Sequence, residues 1–284
     1  MVAKLDAAPR PPARFRMLPL LADSTPANAT ALAEALTRGL EARGLTPRQV
    51  EVGGATFPEI GTLRIDLTGA QLTRDVQLTR DGEGSGTGLR IESLEITGSP
   101  LFFEKAAMEV HLVAQQIQSQ LEMKDGAGLL RLQSAAAGTA SVEATREALE
   151  ALVHAIAVEA AAKQGLDVKK TKLTFTQEGP RAVAFRAEVT AKVFVMNAVL
   201  ALTGRLNIDD QMNARLSDLA LDGDGMILKL AGGFARPHLD RLEGRVFPLL
   251  AFSAGGLRLR NLELTAGESL RVRAEFGSAE QPIT

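Results

Sequence analysis

Leu63, Ile65 and Leu67 alternate with Arg64 and Asp66, the two-residue period of a strand with one buried and one wet face. The same period runs through Leu72–Leu78 and Leu89–Ile96, and the glycine-rich span Asp81–Gly88 between them reads as a mobile hairpin loop. Ahead of these strands, Leu32, Leu36 and Leu40 recur every fourth residue, the apolar stripe of a short amphipathic helix. Pro26 after Thr25 opens that helix, and Gly44 closes it with a left-handed cap. Between Met108 and Met123 two periods compete: Met108, Val110 and Leu112 fit a strand, while Val110, Val113, Ile117 and Leu121 fit a helix. A long strand interrupted by a bulge is the reading adopted.

A longer helix is expected from near Ser141. Glu143 and Glu147 lie toward its positive end and Lys163 in its last turn, as the helix dipole prefers. Leu149, Leu152, Val153, Ile156 and Ala160 form its apolar stripe, and Gly165 ends it. The remainder is rich in strands: Leu173–Phe175, Val183–Val195, Val199–Leu206, Leu216–Leu221 and Met226–Leu230. Pro237 starts a short helix ending at Pro248, and a closing hairpin pairs Leu257–Leu264 with Leu270–Phe276. The expected class is therefore α+β. Residues 1–23 read as a flexible N-terminal arm, 24–277 as one domain and 278–284 as a disordered tail. Glu41–Val50 echoes Ala162–Thr171, and Leu216–Met226 echoes Leu259–Ser269. These echoes suggest a helix-plus-meander unit used twice, over 24–138 and 139–277.

Composition narrows the function. The 284 residues carry 45% apolar and 23% charged side chains, with a net charge of −2, and Lys and Arg are dispersed rather than clustered. A nucleic-acid partner is not expected, because such binders carry a basic excess or a basic face. With no cysteine, disulfides, thiolate metal sites and thiol catalysis are all excluded. Eleven Phe but no Trp or Tyr leave the chain without the favoured anchors of tight interfaces and membrane belts. No stretch approaches a spanning helix, and Met17–Ala22 is too short and proline-broken for a signal core. The expected location is cytoplasmic or peripheral to a membrane, or the cell envelope if a leader has been removed.

The search for chemistry ends without a catalytic set. His111, His154 and His238 lack metal-ligand spacing. Asp222–Gly225 has the residues of a tight turn and lacks the acidic closure of a calcium loop, and Asp209-Asp210 reads likewise as a loop. The glycines at 82, 84, 86 and 88 do not form a dinucleotide fingerprint. Ala251–Gly255 lacks the first glycine of a nucleophile elbow. No enzyme activity, no cofactor and no metal are expected.

One resemblance bears on function. The first helix followed by Val50-Glu-Val52, a glycine pair and Phe57-Pro58, then Gly138–Val142, then Leu257–Leu264 and Leu270–Gly277, resemble the TULIP-like bacterial mannan-elongation-factor (LmeA-like) family over about residues 30–277. Phe57-Pro58 departs from that family's usual Pro-Phe-Leu element. The resemblance implies a long, highly curved antiparallel sheet wrapped around one long amphipathic helix, with a shorter N-terminal helix and an apolar groove. It also implies a phospholipid or fatty-acyl ligand and a transient membrane contact. On that basis Leu149, Leu152, Val153, Ile156, Phe185, Val193 and Val195 are expected to line the groove of a non-enzymatic lipid-binding or lipid-transfer protein. The alternative is a structural or scaffolding domain whose core is filled by the same residues.

Overall fold

A computed structural model describes residues 17–22, 24–54, 56–72, 86–104, 106–124, 127–162, 167–193, 196–223, 228, 236, 239–249 and 258–278. It is a sheet-dominated α+β fold with two sheets. The first is built on three long strands: β5 (Thr87–Phe103), β6 (Ala106–Lys124), and the line formed by β7 (Ala127–Ser134) and β8 (Ala137–Thr145). β7 and β8 both run antiparallel to β6 and part at Ala135-Ala136, where β6 carries Gln116 with φ +50°. The strand reading of Met108–Met123, bulge included, is what the structure shows.

β3 (Glu59–Asp66) and the two-residue β4 (Gln71–Leu72) lie parallel to β5, and β2 (Gln49–Gly53) forms the edge beyond β3. Leu72 pairs with Phe103, at the far end of β5 rather than opposite its start. That pairing does not fit a simple hairpin, although residues 73–85 themselves lie outside the described residues. On the other side of the sheet, β15 (Ser269–Gly277) pairs with β8, and β14 (Arg258–Ala266) with β15, as the closing hairpin was expected to do.

Helix α1 (Ala29–Glu41) fills the first sheet's core. Its N-cap is Asn28, whose side chain accepts from Ala31 N, so the helix begins three residues after the proline expected to open it. Gly44, at φ +77°, ends it with paired bonds, Gly44 N to Glu41 O and Leu45 N to Leu40 O. Leu32, Leu36, Leu63, Leu94 and Leu130 are fully buried there. Part of the expected arm also belongs to this core. Met17–Leu21 form β1, paired with β7, because Leu20 is buried and Leu18 packs on the cluster. Gly39 lets β1 approach the helix, since a Cβ at that position would sit 2.3 Å from Pro19 O. Residues 1–16 and 279–284 lie outside the described residues.

Thr145 ends β8 and its Oγ1 accepts from Ala148 N, so α2 (Arg146–Ala162) starts five residues later than expected. Glu143 read as a helix-start carboxylate, but on β8 it meets Ser269 and Arg271 of β15 instead. The second sheet follows as β9 (Asp167–Gly179), β10 (Ala182–Val193), β11 (Met196–Ile208), β12 (Asn213–Gly223) and β13 (Val246–Pro248). The expected helix up to Pro248 stops short, since Val246–Pro248 pairs with β12. Most of Met226–Leu230 and all of Ala251–Gly255 lie outside the described residues.

The two sheets meet at one end, where Val183, Ile208, Met212 and Ala214 pack with Leu262 and Leu264 of β14. Gln177 brackets that strand, donating to Leu264 O at 2.9 Å and accepting from Ala266 N at 2.7 Å. A unit boundary at 138/139 would cut through β8, and β14 and β15 return to the first sheet, so the chain does not divide there into two equivalent halves.

The expected enclosure of α2 by the sheet is not found. Among its described residues none is buried, while α1 buries five. The helix inside the fold is the short one. α2 lies along β9, with β6 and β8 also near it.

Candidate functional site

Alternation splits the far half of the first sheet into two faces. Outward stand Glu109, Glu143 and Arg271 in register, then His111, Ser141 and Arg273. On the other face Val110, Val142 and Val272 stand opposite one another across three strands. Met108, Ala144 and Leu270 flank that row on one side, and Leu112, Ala140, Ala274 and Leu262 on the other. This aliphatic face is only half covered, and at its centre Val142 is 39% exposed.

The second sheet offers a matching surface. Phe185 pairs with Phe175 and with Gly204, Ala187 with Leu173 and Leu202, and Val189 with Leu200. Gly204 makes room for the Phe185 ring, because a Cβ there would lie 2.5 Å from Phe185 Cζ. Phe185, Ala187, Val189, Leu200 and Leu202 are all half-buried.

Helix α2 presents two faces. The face bearing Glu147, Glu150, Ala151, His154, Ala155 and Val158 borders a groove of about 620 Å³ closed on its other side by Thr171 of β9. Glu150 Oε1 accepts from Leu173 N at 2.7 Å, and His154 Nδ1 lies 3.2 Å from Thr171 Oγ1. The expected lining residues Leu149, Leu152, Val153 and Ile156 occupy the opposite face by the helical period. The first three are half-buried and Ile156 is 44% exposed. Phe185 stands on the aliphatic face of the second sheet, and Val193 closes β10 opposite Met196. Val195 lies outside the described residues. The structure therefore gathers the first four on one face of α2 and puts Phe185 on a separate surface. The Val110–Val142–Val272 row escaped the sequence reading. Val110 and Val272 alternate legibly within their strands, but Val142 fell at the expected start of the long helix, and only the register of distant strands aligns the three.

Chemistry is sparse here. Asp209 is occupied with its own turn, accepting from Gln211 N and Asn213 N and from the Asn213 amide. Those bonds, the Asn213 backbone first, hold its carboxyl below the ordinary range. Asp210 meets Arg181, and His111 lies 3.5 Å from Glu95. His238 lies outside the described residues. Of the expected turn Asp222–Gly225, Asp222 and Gly223 end β12 and the rest is outside the described residues. Among the described residues no group of three His, Asp or Glu could share a metal ion, and no helix is long and apolar enough to cross a membrane. No protein-family model matches the sequence, and neither a curated protein nor a solved structure matches it significantly.

Proposed function

We propose that this chain is a non-enzymatic binder of an acyl-bearing ligand, a phospholipid or a fatty acid, that exchanges it at a membrane surface. The observation that carries this reading is the half-open aliphatic face centred on Val142. Burying apolar surface is the main favourable term in association, and each methylene removed from water contributes about 0.8 kcal/mol. A slot of Val, Leu and Ala with no titrating group is sufficient for such a ligand. The half-buried Leu149, Leu152 and Val153 and the exposed Ile156 of α2, with Phe185 on the second sheet, offer further apolar surface. The LmeA-like resemblance supports the same reading, since it implies an apolar groove between a helix and a curved sheet.

The test is the lipid carried by purified variants. Val142→Asp and Ile156→Asp lose extractable lipid, while Asp222→Ala, an exposed position at the end of β12, keeps it. Equal lipid in all three contradicts the reading. A stable complex with a protein partner that Val142→Asp disrupts would establish the scaffold instead.

A further inference from the structure

We propose that the outer face of the second sheet, toward the end away from the first sheet, docks on an anionic phospholipid bilayer. This rests on the ligand-binding reading above and names the surface through which its exchange takes place.

The lysines concerned are dispersed along the chain, and strand register gathers them. Lys170 of β9, Thr190 of β10 and Val199 of β11 stand in one row across the sheet. The next row on one side holds Lys172, Glu188, Ala201 and Asp222, and the next on the other holds Asp167, Lys192 and Asn197. Alternate residues of a strand lie about 7 Å apart and neighbouring strands about 4.8 Å apart, so the three lysines rise within roughly 15 Å of one another. All three are exposed, and none makes an ion pair among the described residues. Of the carboxylates on this part of the face, Glu188 is held by Arg186 at 2.8 Å and Asp167 by Lys169. Asp222 is the third, at the β12 margin. Lys169, Lys170, Lys172, Arg186 and Lys192 therefore outweigh them. The chain's net charge of −2 does not oppose this, because at physiological ionic strength exposed charges act over only about 8 Å.

Val199, 40% exposed, sits among these cations. That combination fits a bilayer, whose headgroup anions meet the lysines while its interface receives the apolar side chain. A nucleic acid would use the lysines alone. The location also suits exchange. The opposite end of the sheet is fastened to the first sheet, where Gln177 and Arg181 donate to Leu264 O and Leu262 O of β14. α2 runs opposite to β9, with Glu150 beside Leu173 and His154 beside Thr171. Its Val158, 42% exposed, therefore lies toward the docking end. Val189 and Leu200 of the aliphatic face are one residue along from Thr190 and Val199, on the reverse side of the same strands. An acyl chain leaving a bilayer at this end meets aliphatic side chains at once.

The test is flotation of the full chain with vesicles of phosphatidylcholine and phosphatidylglycerol in equal parts, against vesicles of phosphatidylcholine alone. The protein should bind the first kind and bind the second far more weakly. Salt at about 1 M, where charges act over about 3 Å, should abolish the difference. Each cation beside an anionic leaflet strengthens binding by about fivefold, so Lys170→Gln, Lys172→Gln and Lys192→Gln should each cost about that, and on the order of a hundredfold together. Val199→Asp should weaken binding as well. Arg64→Gln, Arg90→Gln and Arg273→Gln combined remove the same charge from exposed positions of the first sheet and should leave binding at the parent's level. Equal loss in the two triple variants overturns the proposal, because net charge alone then decides. Tighter binding of a DNA duplex than of the anionic vesicles overturns it in favour of nucleic acid. A parent that ignores anionic vesicles but purifies with lipid overturns the docking face and leaves the binding reading intact. A parent that docks through these lysines and carries no lipid does the reverse.

Discussion

Glu150 Oε1 accepts a hydrogen bond from the backbone N–H of Leu173 at 2.7 Å, so one helix carboxylate stands where a neighbouring strand's carbonyl would otherwise be. Leu173 is 5% exposed, and its amide has little water to turn to. Glu150→Ala should therefore cost about 1–3 kcal/mol, the usual penalty for orphaning a buried donor. Glu150→Gln, which keeps an acceptor, should cost less. Urea unfolding of the two variants checks the order, and equal losses would contradict it.

Gly39 is the second point of close approach. Gly39→Ala places a methyl carbon 2.3 Å from Pro19 O, which forces β1 away from α1. The expected loss is about 1–3 kcal/mol, as for other overpacked cores. Amide exchange should quicken first in β1 and in β7, its partner. Unchanged protection at Leu129 and Leu130 would show that β1 does not seal this core.

Acid should weaken the fold through carboxylates held below their ordinary range. Glu143 is lowered by the Ser269 hydroxyl first and then by Arg271, and Asp66 chiefly by the Thr68 hydroxyl. Where the folded value is the lower one, the unfolded chain binds more protons. The stabilisation is then complete above the ordinary carboxylate pKa of about 4 and disappears as pH falls through the lowered value. Glu143→Gln should accordingly show its stability deficit at pH 7 and lose it progressively as pH falls below the ordinary carboxylate range of about 4. The same deficit at pH 7 and below that range in urea titrations would contradict this.

Ile156 and Val142 separate function from stability. Both are substantially exposed, at 44% and 39%, so a change to Asp should move stability by no more than about 0.5 kcal/mol, the range of surface substitutions. Lipid content should nevertheless fall in each. A large drop in melting temperature together with lipid loss would mean instead that these residues are core.

Local pattern carried much of this fold. The alternation at Leu63, Ile65 and Leu67 placed β3, the Leu32–Leu36–Leu40 stripe placed α1, and Gly44 closed that helix as its left-handed tolerance suggested. What was illegible depends on partners far along the chain. Glu143 looks like a helix-start carboxylate until Ser269 and Arg271 arrive from 126 and 128 residues away. Met17–Leu21 read as part of a flexible arm until β7 offers an edge and α1 a glycine. The stripe on α2 is real in sequence, but no period says whether a sheet will cover it. The candidate surface follows the same rule: Val110 and Val272 stood on expected strands and Val142 at the start of an expected helix, so their meeting was not readable.

The central claim is that the half-open aliphatic surface holds an acyl chain, and mass spectrometry of the purified protein under native and denaturing conditions tests it most directly. A stoichiometric native adduct that dissociates on denaturation and extracts as phospholipid or fatty acid is the predicted result. A native mass equal to that of the bare chain, unchanged after incubation with phospholipid vesicles, would contradict it.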